Sequence, residues 1–418
     1  MSNQKEFYDV IVIGGGPAGM MAAGRAAERG KRVLLLEKNR TLGRKLGITG
    51  GGRCNIANAE ENVRELLSFY GDAEPFLYSP FSQFGMKDTF TFFESRGLPL
   101  VVEAKKRAFP ATQDALDVVR VMKEYVMAHN VTIRTGVRVD GFIQDAGKII
   151  GVKTNGGVFA GRTFMLATGG NSRPETGSTG EGISWLSTLG HTVHNSNPDI
   201  VPLIALEDWV KKLSGTSLSF MKITFSDMEE NKETRFSRTG KILFTHFGVS
   251  GPLILNSAKE VKKLLAAGPV RAYIDLYPDT EVGTVRNRVL GVFEQNKNKD
   301  FKNILKGLVP AGMTEAVLSL LPAQVAEKKV HSITKEERLF LSDLLKAMPL
   351  TISGTMGYEW AVVSDGGVDL AEIDTKTMRS KKHGNLFVIG DALHVSRPSG
   401  GYSLQLCWTT GYVAGSAV

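Results

Sequence analysis

Tyr8-Asp9-Val10-Ile11-Val12-Ile13-Gly14-Gly15-Gly16-Pro17-Ala18-Gly19-Met20 is the stretch that decides the fold. Tyr8 to Ile13 is a β-rich apolar run, glycines stop it, and Met20 to Arg29 carries small and apolar residues at helical spacing. Gly30 marks the helix end, and Arg32 to Leu36 is a second apolar strand that closes on Glu37. Strand, turn, helix and strand in this order form a βαβ unit, which predicts an α/β protein.

The glycines follow the G-x-G-x-x-G spacing at Gly14, Gly16 and Gly19. Gly14 permits the tight turn out of the strand, Gly16 lets backbone approach a pyrophosphate, and Gly19 lets helix and strand pack closely. A diphosphate would then lie at the helix N-terminus, where free N–H groups and the macrodipole favour anions. Glu37 falls eighteen residues after Gly19, where an acid bonds ribose hydroxyls and repels a 2′-phosphate, which disfavours NADP. The bland reading, a tight glycine turn in an unrelated α/β protein, lacks this ordered context.

FAD extends well beyond its pyrophosphate and needs a second anchor. Gly390-Asp391, at the end of the apolar strand Leu386 to Ile389, offers a carboxylate for ribityl hydroxyls, although an acid at a strand end is also a common turn or cap residue. Gly400-Gly401-Tyr402 opens a helix over Ser403 to Ala414, whose N–H groups and dipole would stabilise negative charge at flavin N1–C2=O. A second G-x-G-x-x-G is lacking, so NAD(P)H enters as a transient reductant rather than through its own domain.

The 418 residues exceed what one core usually accommodates and predict two or three domains. A helix over Asp114 to Ala128, strands at Thr132 to Thr135 and Val137 to Ile143, a hairpin of Ile149 to Thr154 with Val158 to Ala160, and a further strand at Arg162 to Ala167 continue the α/β pattern. From about His194 to Leu350 short strands (Met221 to Phe225, Lys241 to Phe247) give way to helices at Ile254 to Leu265, Thr284 to Gln295 and Lys335 to Lys346. The expected organisation is a discontinuous FAD-binding Rossmann-like domain of the two-dinucleotide-binding type, 1–192 with 351–418. Residues 193–350 form an inserted β-rich module with a helical subdomain at about 275–340.

Further blocks carry a resemblance. Thr49-Gly50-Gly51-Gly52-Arg53-Cys54-Asn55, Ala167-Thr168-Gly169-Gly170 leading to Gly177-Ser178-Thr179-Gly180, Leu243-Phe244-Thr245-His246 with Ser250-Gly251-Pro252, and Lys376-Thr377-Met378 with Ser380-Lys381 occur in order along nearly the whole chain. In these the sequence resembles the three-domain bacterial flavoproteins once called NAD(FAD)-utilising dehydrogenases, and is similar to aminoacetone oxidase and 3-dehydro-bile-acid reductases. The resemblance implies FAD among Gly14, Gly16, Gly19, Glu37, Arg44, Lys45, Gly52, Arg53, Val137, Gly170, Gly390, Asp391 and Tyr402. Pro17, Ala18, Lys38, Gly51, Ala167, Thr168, Gly169 and Gly401 complete the expected cofactor set. Where that family commonly continues Gly-Glu into an acidic Val-Leu-Asp stretch, this chain reads Gly390-Asp391-Ala392-Leu393-His394 and then Ser396-Arg397-Pro398-Ser399, which would change substrate choice at the isoalloxazine.

Arg53, in its glycine-rich loop, would offset charge on the diphosphate or the reduced flavin, or is simply solvated. His246 after its strand is a candidate acid or substrate ligand and equally a hydrogen-bonded structural histidine. His394 and Arg397 are candidates for binding a carboxylate or donating a proton. Cys54 and Cys407 form no C-x-x-C and no zinc spacing, so no metal is expected, a dithiol mechanism is disfavoured, and Cys54 reads as a buried structural thiol. Neither a signal peptide nor a membrane-length apolar run is present, so the cytoplasm is expected. The net charge of +8 suits an anionic cofactor; basic residues dispersed among acids argue against a dedicated nucleic-acid surface without excluding one. The expected activity is FAD-dependent hydride transfer between flavin N5 and a small organic substrate, with two alternatives: an NAD(P)H-dependent reductase of conjugated carbonyl or steroid-like compounds, and a flavin-containing RNA-binding or RNA-modifying factor. Oligomeric state stays open.

Overall fold

A computed structural model describes residues 6–227 and 235–418. The chain divides into two compact units, 1–198 with 361–418, and 199–360. The expected break after residue 350 falls inside a strand of the second unit, Met348–Thr355, whose partners Val270–Asp275 and Leu203–Ala205 keep it there.

The first unit is built on a sheet in the order Thr132–Thr135, Val33–Glu37, Phe7–Ile13, Gly157–Leu166, Lys148–Thr154, Val139–Asp145, with Leu386–Val388 also paired to Gly157–Leu166. Phe7–Ile13 runs parallel to both neighbours, Ile11 opposite Leu34 on one side and Phe164 on the other. Val33–Glu37 is buried throughout, as expected where both faces of a parallel sheet are covered. The two strands expected at Val158 to Ala160 and Arg162 to Ala167 are one, Gly157–Leu166. Its first half pairs antiparallel with Lys148–Thr154 and its second half parallel with Leu386–Val388, so tertiary pairing carries one extended segment through Gly161 without a break.

Helix Pro17–Glu28 and the C-terminal helix Tyr402–Ser416 pack against each other at backbone distance. A Cβ on Gly411 would lie 2.5 Å from the Ala18 carbonyl oxygen, and one on Gly415 would lie 2.6 Å from that of Ala22. The small residues of the first helix are therefore an interface, and they bring the two ends of the chain together. The segment between Glu37 and Asp114 adds short helices and a three-stranded sheet of Ala57–Asn58, Arg107–Pro110 and Leu100–Glu103.

The second unit is a closed six-stranded barrel of Leu203–Ala205, Gly248–Ser250, Arg235–Thr245, Ser217–Ser226, Val270–Asp275 and Met348–Thr355. Helix Pro252–Leu265 follows the strand Gly248–Ser250, and a helical run from Val282–Gln295 to Lys335–Lys346 fills the connection between Val270–Asp275 and Met348–Thr355. That last helix begins with a reciprocal cap in which Thr334 Oγ1 accepts from Glu337 N and Glu337 Oε2 accepts from Thr334 N.

Candidate functional site: an elongated cleft in the first unit

The turn after the first strand is compelled by its glycines. Gly14 has φ +105°, and a Cβ on Gly19 would fall 1.9 Å from the Gly14 carbonyl oxygen. No side chain caps helix Pro17–Glu28 at Gly16, so its first-turn N–H groups are left for another partner. A Cβ on Gly16 would meet nothing within 4 Å, which is the open approach that a diphosphate needs.

Glu37 organises the next stretch. Its Oε2 accepts from Gly15 N at 2.7 Å, while Oε1 accepts from Asn39 N at 2.7 Å and Asn39 Nδ2 at 2.8 Å. A carboxylate offers about four acceptor positions, so after pinning the glycine turn it retains one for a sugar hydroxyl. Lys38 Nζ reaches Thr179 Oγ1 at 2.8 Å and Glu181 Oε2 at 2.7 Å, and Asn39 Nδ2 donates to the Thr176 carbonyl at 2.9 Å. These contacts draw the loop Thr176–Glu181 over one end of the cleft. Val137, Val139 and Trp185 supply apolar wall there.

At the other end the strand Leu386–Val388 delivers Gly390 and Asp391. Gly390 has φ +65°, with Ala18 Cβ 3.0 Å from where its own Cβ would be, and its N–H donates to Thr410 Oγ1 at 3.0 Å. Asp391 is paired with Arg397 and has Lys45 Nζ at 3.7 Å. Burial pushes the Asp391 carboxyl up, but Arg397 and Lys45 outweigh it and hold the group below its ordinary value. It is therefore ionised and presents acceptor oxygens to the cleft at neutral pH.

The cleft takes in Gly14, Gly16, Pro17, Ala18, Glu37, Lys38, Arg44, Lys45, Val137, Ala167, Thr168, Gly169, Gly390 and Asp391, and encompasses about 880 Å³, part of it open to solvent. Thr168 Oγ1 is buried at its wall without a hydrogen-bond partner. An extended dinucleotide fits this construction: donors for a diphosphate at the first turn, an acid toward a ribose, an ionised carboxylate at the second turn and an unsatisfied hydroxyl between them.

Several expected residues lie elsewhere. Gly19 is spent on packing against Gly14. Gly170 fits closely against Ser364, where a Cβ would come 2.6 Å from Oγ. Gly51, Gly52 and Arg53 do not line the cleft; Arg53 lies 4.1 Å over the Phe109 ring. Gly401 rests against Ala57, and Tyr402 is buried on Tyr70 and Phe69, which pushes its hydroxyl up to about 12. Arg397 is buried, with Nε donating to Ser403 Oγ at 3.0 Å and Nη1 to the Val395 carbonyl; its guanidinium is consumed in holding Asp391. His394 stacks on His194 at 4.0 Å, its Nδ1 buried without a partner, and burial followed by the His194 charge lowers its pKa. His246 is exposed in the second unit, edge-on to Phe247 at 5.0 Å. Cys54 is fully buried, which pushes its thiol up to about 12.

Sequence reading missed Asn39, Gly43, Val139, the loop Thr176–Glu181, Trp185 and Cys407 on the cleft wall. Only the Gly177 to Gly180 cluster was a visible signal, as a glycine-rich loop following the strand that pairs with the first. Among the described residues no group of three or more His, Cys, Asp or Glu is arranged to hold a metal, and no helix is long and apolar enough to cross a membrane.

Two turns from opposite ends of a chain, sharing one long cleft beside a parallel sheet, are how Rossmann-type flavoproteins hold a dinucleotide, and this chain is one of them. It belongs to the HI0933-like protein Rossmann domain family, which matches residues 8–417. It is 28% identical over 415 residues to the 3-dehydro-bile acid delta(4,6)-reductase of Clostridium scindens, covering 97% of this chain and 98% of that one. It is 27% identical over 407 residues to the ribosomal RNA dihydrouridine synthase of Escherichia coli, covering 97% of each. In fold it resembles the 3-ketosteroid delta1-dehydrogenase of Sterolibacterium denitrificans, with a TM-score of 0.56, 13% identity and 98% of both chains covered.

Proposed function

We propose that the chain, an FAD-dependent oxidoreductase, adds two hydrogens across a carbon–carbon double bond conjugated with a carbonyl group, with NAD(P)H as a transient electron donor. The observation that carries the cofactor is the meeting of Gly14–Ala18 and Gly390–Asp391 on one cleft. The direction is supported by the relatives, since a delta(4,6)-reductase and a dihydrouridine synthase both name saturation of a double bond. When bound, FAD supplies hydride exchange at flavin N5.

The chain's own residues bind, orient and balance charge. The first turn of Pro17–Glu28 receives the diphosphate, Glu37 orients a ribose, and Asp391, fixed by Arg397 and Lys45, orients the ribityl chain. Lys38 and Glu181 close the loop over the far end.

Purified protein should show flavin absorbance bands and release FAD on denaturation. Under anaerobic conditions NADH or NADPH should bleach those bands, and an α,β-unsaturated ketone should restore them faster than oxygen does. Absence of flavin after reconstitution overturns the reading; rapid reoxidation by oxygen with none by the ketone would make the chain an oxidase.

A second reading takes an RNA base as the unsaturated carbonyl, favoured by the Escherichia coli relative and by the Haemophilus influenzae one, 27% identical over 418 residues. It requires binding to ribosomal RNA fragments that weakens steeply with salt; no binding at low salt removes it.

A further inference from the structure

Arg53 is held more firmly than a solvated side chain in a glycine loop. Its Nε donates to Gln113 Oε1 at 2.6 Å, its Nη2 pairs with Glu103, and its guanidinium carbon lies 4.1 Å over the Phe109 ring. Among the described residues its Nη1 meets no hydrogen-bond or ion-pair partner. Phe109, Val101, Glu103 and Arg107 share one face of the hairpin Leu100–Glu103 and Arg107–Pro110, because Val101 is opposite Phe109 and Glu103 opposite Arg107. Arg107 also approaches Glu103, at 3.9 Å. Two guanidiniums thus share one carboxylate, which leaves a net positive charge on an apolar shelf where Val101 is 38% exposed.

The backbone around this shelf is strained. Cys54, Lys105, Lys106 and Gln113 all have positive φ, between +57° and +61°, a conformation uncommon for residues with a Cβ and concentrated at functional sites. Two of them flank the arginine's hold directly: Cys54 follows it in sequence and Gln113 accepts its Nε. Beside it, a Cβ on Gly51 or Gly52 would meet nothing within 4 Å, so this side of the loop is open.

The shelf is joined to the turn that opens the C-terminal helix. Asn58 Nδ2 donates to the Lys105 carbonyl at 3.2 Å and to that of Gly400 at 3.3 Å, and a Cβ on Gly401 would come 2.2 Å from the Ala57 carbonyl carbon. The sequence reading puts that turn at flavin N1–C2=O, the reacting end of the cofactor.

We propose that Arg53, oriented by Gln113, Glu103 and Phe109, binds an oxyanion of the substrate and so selects unsaturated carbonyl compounds that carry a carboxylate or phosphate. This rests on the proposed function for its location, but the charge recognition is testable apart from it. A guanidinium with one donor edge open and its plane fixed recognises an oxyanion by charge-assisted hydrogen bonds. Val101 offers apolar contact to the body of the same molecule.

The test uses holoenzyme photoreduced anaerobically with EDTA as the sacrificial electron donor, so no nicotinamide is needed, and follows reoxidation by 4-oxopent-2-enoate and by its methyl ester. In the native protein the acid should be preferred. In Arg53→Gln the acid-to-ester ratio of second-order reoxidation rate constants should fall by about 10-fold or more, through weaker binding of the acid and not a slower limiting rate, as expected for a lost charged hydrogen bond; Arg53→Lys should restore part of it. Glu103→Gln, which frees the guanidinium from its partner, should raise the ratio. A merely structural role lowers both substrates together and leaves the ratio unchanged, which overturns the inference.

If neither compound reoxidises the enzyme, the proposed function fails. Inorganic phosphate binding, measured calorimetrically on native and Arg53→Gln holoenzyme, then decides the oxyanion site: binding lost in the variant supports it, and binding equal in both overturns it. An oligoribonucleotide arm identifies the source of the oxyanion. Binding that weakens in Arg53→Gln with a salt slope smaller by about one points to a phosphodiester, whereas RNA binding unaffected by a substitution that abolishes the acid preference points to a carboxylate.

Discussion

Glu37 does two things with one carboxylate. It holds Gly15 N and Asn39 N in place and keeps an acceptor position for a sugar. Glu37→Gln turns one oxygen into an NH2 group facing backbone donors, so FAD affinity of the apoprotein should fall about 10–100-fold, in line with a charged hydrogen bond; flavin fluorescence quenching on titration measures it. An unchanged affinity would mean that the turn is held by its glycines alone. The acid was legible in sequence from its distance after Gly19, because strand and helix lengths in a βαβ unit are fixed. Its bonds to Gly15 and Asn39 were not, since nothing in the residue types says which donors a carboxylate will meet. Arg397 makes the same point: the sequence offers a cation near Asp391, but only burial turns it inward onto that carboxylate and away from a substrate.

Helices Pro17–Glu28 and Tyr402–Ser416 are the elements that make the cleft. Their small residues are visible in the sequence as helical spacing of alanine and glycine, yet the partner is far away along the chain. Gly411→Ala places a Cβ 2.5 Å from the Ala18 carbonyl oxygen, a backbone atom that cannot rotate aside. The helices must separate, costing about 1–3 kcal/mol, and Ala18 moves with its turn. The Tm should drop and flavin retention on gel filtration should fall with it; a lowered Tm with full retention would show that the turn is independent of this packing. The sequence divides the strand Gly157–Leu166 in two because Gly161 interrupts the apolar run. Pairing with three strands holds the whole of it extended.

At the scale of the molecule, the first unit is interrupted and must be fastened where the chain leaves and returns. Val193 pairs with Val368, Asn197 N donates to Asp365 at 2.8 Å, and His191 Nδ1 meets Glu372 Oε2 at 2.6 Å with Ser380 Oγ on its other nitrogen at 2.9 Å. Burial would raise Glu372, but Lys382, Thr192 and His191 outweigh it and hold the group at about 2. Burial pushes His191 below its ordinary value despite Glu372. Both therefore bind protons more weakly in the folded chain than in the unfolded one, so their stabilisation is complete above about pH 6.5 and is lost on acidification. His191 begins to yield just under that pH, and Glu372 yields between its ordinary 4.5 and about 2. Glu372→Gln should cost about 1–3 kcal/mol at pH 7, and the gap from native protein, read from Tm, should narrow toward pH 3. A gap of constant size across that range would remove the carboxylate's charge from the account.

The sequence alone determined the βαβ start, the acid at its end, the second turn at Gly390–Asp391 and the return to α/β grammar after the insert, because each depends on local periodicity and on glycine at positions that tolerate no Cβ. Which residues face the cleft, that Arg397 is spent on Asp391, that Arg53 is laid over Phe109, and that the insert closes into a barrel were decided only by tertiary structure. Those outcomes depend on which distant segment pairs with which, and on the burial that follows, neither of which a side chain carries by itself.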